Sequence, residues 1–133
     1  MNLIQALHEA RAAEKEQALF YRGLAAQAED RGDAELSERC NELHADEQHH
    51  LSRLTARLLE LGATLPDLDH VSSEAVGMEA WEAAARTREE AEVLRYEQLL
   101  KSGMDDATRA LLGEILDTER HHAEELGGKW TTA

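Results

Sequence analysis

Four stretches of this chain carry apolar residues at helical spacing, and a glutamate interrupts every one of them. The second stretch shows the pattern most fully. Its apolar positions are Leu36, Cys40 and Leu43, then Leu54, Leu58 and Leu61. Steps of three and four mark one face of an amphipathic helix. Continuing those steps through the gap lands on Glu47 and His50. A carboxylate and an imidazole therefore take two consecutive core positions. Burying an ionised carboxylate without a partner costs several kcal/mol even after relaxation, so another charge must meet Glu47.

The same Glu-x-x-His pattern returns in the fourth stretch, on the stripe Thr108, Leu112, Ile115, Glu119, His122, Leu126. Lone glutamates break the other two. The first stripe runs Leu3, Leu7, Ala10, Glu14, Ala18, Tyr21, Ala25, Ala28, and the third runs Ala75, Met78, Glu82, Ala85, Glu89, Val93, Tyr96, Leu100. Glu14 and Glu89 are 75 positions apart, as are Tyr21 and Tyr96, while Glu47 and Glu119, and His50 and His122, are 72 apart. The change of three falls in the turns between helices, where length is easily altered. The chain reads as an internal repeat of one helical hairpin.

Four carboxylates and two imidazoles in one core imply two metal ions. Glu14, Glu47, Glu89 and Glu119 supply four negative charges, and two divalent cations balance them with His50 and His122 neutral. Carboxylates with one imidazole per ion, and no thiolate, suit iron or manganese, alone or mixed. One zinc ion would leave carboxylates uncompensated. A buried polar network without metal would have to protonate or pair four acids.

The formal net charge of −14 excludes nucleic acid and anionic membrane surfaces as natural partners. No stretch approaches the ~18 apolar residues of a membrane span, and the N-terminus has no signal-peptide pattern, so a cytoplasmic location is expected. The single Cys40 sits on a core stripe, which excludes a disulfide framework. Ala, Leu and Glu dominate, aromatics are only 4%, and no alternating β-branched run is long enough for a strand.

The expected architecture is a single all-α domain over 1–128, with helices at about 3–30, 34–61, 74–101 and 106–126, and a tail over 129–133. Asn2, Asp33 and Ser72 or Ser73 cap helix starts, and Gly32, Gly62 and Gly103 serve as stops. Helix four ends at Gly127-Gly128. Residues 62–72, with Pro66, form the one long connection. It exceeds the two to eight residues usual between antiparallel neighbours, so a crossover making helices two and three parallel is expected.

With these residues in view, the chain resembles the ferritin-like superfamily, nearest to the di-iron domain of rubrerythrins, with bacterioferritin second. The resemblance covers about residues 2–127 and rests on Glu14 with Tyr21, Glu47-x-x-His50, Glu89 with Tyr96, and Glu119-x-x-His122. It implies a ferritin-like four-helix bundle of two repeated hairpins joined by a long crossover. It makes the six Glu and His residues ligands of two irons, with Glu47 and Glu119 bridging them. Tyr21 and Tyr96 would hydrogen-bond ligand carboxylates. Glu92, three after Glu89, is the nearest candidate for the extra rubrerythrin glutamate that exchanges with a ligand histidine. Glu82 is a candidate core-edge partner for an arginine, or an iron-entry residue.

Two departures shape the expected function. No Cys-x-x-Cys is present, so no rubredoxin-type iron site supplies electrons from within, and a separate donor protein is expected. Bacterioferritins hold haem through a methionine where this chain has Gln48, and they carry a fifth helix, so haem and a storage cage are not expected. The leading expectation is a di-iron oxidoreductase that reduces hydrogen peroxide or oxygen. The alternatives are a ferroxidase or iron-storage protein, and a non-catalytic interaction module with structural metal. A homodimer, with or without domain swapping through residues 62–72, is the expected assembly. His49 and His121 precede ligand candidates and so should point away from the site. His8, His44 and His70 are expected at the surface, and Trp81 and Trp130 as packing residues.

Overall fold

The computed structural model describes residues 2–126. The elements are α1 (Leu3–Asp30), α2 (Ala34–Glu60), α3 (Trp81–Leu99) and α4 (Asp106–Glu124), with one 3-10 turn at Met78–Ala80 before α3 and no strand among the described residues. The chain divides into two compact units, one up to Met78 and one from Glu79 on. Each is a helical hairpin with its own internal packing. Gly127, Gly128 and Trp130 lie outside the described residues.

In the first hairpin, Asn2 Oδ1 accepts from the Ile4 amide at 2.9 Å and starts α1. Its end follows from Gly32 at φ +75°, where the Asp33 amide reaches back to Ala28 O and the Gly32 amide to Glu29 O, both at 2.9 Å. That pair of bonds is a Schellman stop, which needs a left-handed residue at the glycine position. Asp33 then caps α2 through the Leu36 amide at 3.1 Å. Gly62, at φ +81°, ends α2 with the same two-bond stop onto Leu58 and Leu59. Between α1 and α2 the buried stripes are those the helical spacing marks: Leu7, Ala10, Ala18, Tyr21, Ala25 and Ala28 against Cys40, Leu43, Leu54 and Leu58. His44, expected at the surface, is half-buried because its Nδ1 donates to Ala18 O at 2.9 Å.

After α2 the chain does not leave this hairpin. Arg11 donates from Nη1 to Pro66 O at 3.0 Å and from Nε to Thr55 Oγ1 at 2.9 Å. Further along, Gln27 Nε2 donates to Val76 O at 3.1 Å. The connection over residues 61–77 thus runs along α1 from the level of Arg11 to that of Gln27, a rise of ~24 Å at 1.5 Å per residue. It delivers the chain to the end of the hairpin where α2 begins, as a crossover requires.

The connection is longer than the sequence predicts, since α3 begins at Trp81 rather than near residue 74. The Val76 carbonyl is held by Gln27, whereas in a helix it would bond the amide of residue 80. Val76 and Gly77 are also weak helix formers. Ser72 and Ser73 therefore cap nothing, and the first residue of α3 follows a 3-10 turn with no side-chain cap. Ala75 and Glu82, placed on the third stripe, are both exposed.

The second hairpin pairs α3 with α4. Asp105 starts α4 by accepting from the Thr108 amide at 3.0 Å and the Thr108 hydroxyl at 2.7 Å. Gly103 is not left-handed, unlike its counterparts at 32 and 62. Here Arg109 does the work, donating to Leu100 O and Ser102 O at 2.9 Å each and so satisfying carbonyls past the end of α3. Ala85 and Tyr96 of α3, with Leu111, Leu112, Ile115 and Leu116 of α4, are buried.

The glycines give a paired prediction. Gly32 and Gly23 both have open space where a Cβ would go, but only Gly32 is left-handed. Gly32→Ala lowers stability by about 1 kcal/mol through strain, and Gly23→Ala, inside α1, raises it by about the same amount. Urea unfolding followed by circular dichroism checks both.

Candidate metal centre

In each hairpin the helical spacing brings one lone glutamate level with one Glu-x-x-His pair. In the first, Glu14 of α1 meets Glu47 and His50 of α2. Each offers a ligand atom, and these atoms lie within 4.8 Å of one another. His50 Nδ1 is 3.3 Å from Glu47 Oε1 and 3.5 Å from Glu14 Oε2. In the second, Glu89 of α3 meets Glu119 and His122 of α4, again with ligand atoms within 4.8 Å of one another. His122 Nδ1 is 3.1 Å from Glu89 Oε2 and 3.4 Å from Glu119 Oε1. The repeat read from sequence spacing is therefore a repeat of side-chain geometry.

All four glutamates are 0% exposed and both histidines 4%. Each Nδ1 faces two carboxylate oxygens, yet an imidazole nitrogen carries at most one hydrogen. The geometry is that of a cation position shared by three donors, with a proton as its smallest occupant. The His50 pKa reflects this. Burial acts to lower it, but hydrogen bonds and charge from Glu14 and Glu47 outweigh burial and raise it to about 9. Oxygen and nitrogen donors without sulfur fit iron or manganese. Cys40 is buried on α2, where burial first and Asp33 second push its thiol up to about 11, and it is not among the clustered donor atoms.

The sequence matches the ferritin-like domain family over residues 4–131. The chain belongs to the ferritin-like domain family. Its structure is similar to that of the bacterioferritin of Desulfovibrio desulfuricans, with a TM-score of 0.88 and 22% sequence identity. That likeness covers 96% of this chain and 77% of the other. No curated protein matches the sequence. The fold is thus the ferritin-like four-helix bundle, as the motifs imply.

The other residues singled out in the sequence fall into place unevenly. Tyr21 and Tyr96 are fully buried, one on each hairpin. Glu92 is buried at 6% exposure, and Arg95 Nε donates to its Oε2 at 3.4 Å. It stands outside the close triad of its hairpin. Glu82 is exposed, at the first turn of α3, so it is no core-edge residue: the apolar face of α3 is covered only from Ala85 on. His49 and His121 are exposed, as the ~100° step between helical neighbours requires, and His121 pairs with Glu125 one turn on. His70 is exposed, but His8 is half-buried. No helix is long and apolar enough to cross a membrane among the described residues.

One residue of this ferritin-like site escaped the sequence reading. Gln17 is 2% exposed, and its Nε2 donates to Glu47 Oε2 at 3.4 Å. The signal was its place three residues after Glu14, one turn along the same face.

The raised His50 pKa carries a prediction. A group whose pKa is higher folded than unfolded adds stability fully below its unfolded value, and that stability is lost as pH rises through the folded value. For His50 the window runs from 6.5 to about 9. The His50 contribution to the stability of the metal-free protein falls across that window. Glu47→Gln, which removes one cause of the shift, lowers the pKa measured on the imidazole by NMR and narrows the window.

Proposed function

We propose that the protein holds two metal ions, with one triad in each hairpin supplying ligands, and that it binds and oxidises ferrous iron, as a ferroxidase. The observation that carries this reading is the duplicated Glu, Glu, His cluster, buried in both hairpins. Four buried carboxylates without cations would be a large electrostatic penalty, and two divalent ions bring the cluster to neutrality. Glu14 with His50, and Glu89 with His122, would be the ligands particular to each hairpin. By the resemblance stated above, Glu47 and Glu119 would be ligands as well. The ferritin-like fold, and its likeness to a bacterioferritin whose structure describes a diiron site, support iron as the metal.

When bound, two ferrous ions would give up one electron each to dioxygen or hydrogen peroxide. The residues of the chain would bind, orient and shield. His50, held protonated by Glu14 and Glu47, would release its proton as a cation takes its place, so ion uptake would be coupled to proton release. Leu43 and Leu54 on α2, both buried, would keep bulk water from the carboxylates of that hairpin. Tyr21 and Tyr96 would hold ligand carboxylates by their hydroxyls.

Peroxide reduction with electrons from a separate donor protein is the second reading. Glu92 favours it, because a buried carboxylate one turn from Glu89 is what the rubrerythrin resemblance implies for a ligand that exchanges. A homodimer remains the assembly proposed with either activity.

Anaerobic titration with ferrous ion is expected to saturate at two ions per chain, and Glu47→Ala and Glu119→Ala to remove at least one of them, by metal analysis of the desalted protein. Stopped-flow mixing then separates the activities. Oxidation by oxygen, with more than two irons retained on aerobic loading, supports the ferroxidase. Oxidation much faster by peroxide, with iron held at two, moves the assignment to the peroxidase. A colourless zinc protein with no redox response would overturn both.

In metal-free protein, Glu14→Leu is expected to raise the unfolding midpoint, since two carboxylates face one protonated imidazole and the change removes the excess buried charge, leaving Glu47 paired with His50. The same variant loses the gain in midpoint that ferrous or cobalt ion gives the unaltered protein. Thermal scans with and without metal check both arms.

A further inference from the structure

The internal repeat places Gln17 opposite Glu92, and it places Phe20 opposite Arg95, each pair 75 positions apart. Both members of the first pair are buried. In the second hairpin the position is a carboxylate matched by a guanidinium, Arg95 Nε to Glu92 Oε2 at 3.4 Å. In the first it is a neutral amide, and the place of the guanidinium is taken by an apolar ring. An amide differs from a carboxylate in one chemical respect that matters here: it can donate to a neighbouring carboxylate without adding charge. Gln17 does so, toward Glu47 Oε2 at 3.4 Å. The other oxygen of Glu47, Oε1, faces His50 Nδ1 at 3.3 Å. Both oxygens of this glutamate are therefore addressed, one by the imidazole of the triad and one by Gln17.

We propose that Gln17 is a positioning residue for metal uptake, holding Glu47 by its Oε2 so that the carboxylate keeps its place when a cation binds. The inference rests on the reading of Glu47 as a metal ligand. Removing a hydrogen-bond partner that orients a ligand commonly costs ten- to a hundredfold in metal affinity.

The test is anaerobic titration of the metal-free protein with cobalt(II), followed by its visible ligand-field absorption. Gln17→Met keeps the length of the side chain and loses the donor. It is expected to retain helical circular dichroism, to weaken cobalt binding by about tenfold and to shift the absorption band. Gln17→Asn, whose amide is withdrawn by one methylene, is expected to weaken binding in the same direction and serves if the methionine variant does not fold. In a Glu47→Ala background the Gln17→Met change is expected to add nothing, because its partner is gone. Unaltered affinity and spectrum in Gln17→Met or Gln17→Asn would overturn the proposal while leaving the metal centre standing. So would a loss that persists undiminished in the Glu47→Ala background, which marks a merely structural role. If the unaltered protein takes up no cobalt, the metal-centre reading itself falls, and this inference with it.

Discussion

Two carboxylates held against one imidazole, all three shut away from water, set the terms for each hairpin. Such a cluster does not form for the sake of stability. Apolar residues of similar bulk would pack there at lower electrostatic cost. The helices must therefore be long enough, and apolar enough above and below, to hold the cluster in place. In α2, Cys40 and Leu43 lie before the Glu-x-x-His pair and Leu54 and Leu58 after it, all buried. In the second hairpin, Thr108, Leu111, Leu112, Ile115 and Leu116 of α4 lie before the pair and Leu126, just past the end of α4, after it, all buried. The two Schellman stops fix the ends of α1 and α2, and the Asp33 and Asp105 caps the starts of α2 and α4, which sets the level at which the polar side chains of each hairpin meet.

Helical periodicity made most of this legible. A face is determined by steps of three and four, so a glutamate or histidine on an apolar face must be buried wherever the helix persists. Glu14, Glu47, His50, Glu89, Glu119 and His122 were all found that way, and every one is buried. The spacing also gave the hairpin repeat, because corresponding residues sit on corresponding turns. What it could not supply were effects that act across the fold. Ser72 and Ser73 carry a good capping signal, but Gln27 takes the Val76 carbonyl that a helix would use, and α3 starts later. Glu82 falls in the first turn of that late-starting helix, where the face is still open to solvent. Gly103 looked like the other stops, yet Arg109 supplies the missing donors. His44 gained a carbonyl partner on the neighbouring helix that no single-helix pattern contains.

Gln17 was passed over for a different reason. A neutral amide neither breaks an apolar stripe conspicuously nor announces a charge, so it reads as the edge of the face. Its significance comes from its repeat partner. Where the two halves of a duplicated site differ, the difference is chemical information, and here the contrast lies between an amide donor and a carboxylate paired with arginine. The six ligand candidates are alike in both halves. The residues around them are not, and these differences give each half its own electrostatic character.

The strap along α1 has a further consequence for how such a chain assembles. A free tether of seventeen residues would let the second hairpin explore a large volume before it found its place. Because Arg11 and Gln27 clamp the strap at Pro66 and Val76, the slack remaining ahead of α3 shrinks to the few residues after Val76. Closure entropy depends on the length of chain that is still free, so the search for the second hairpin starts from a point already moored to the first.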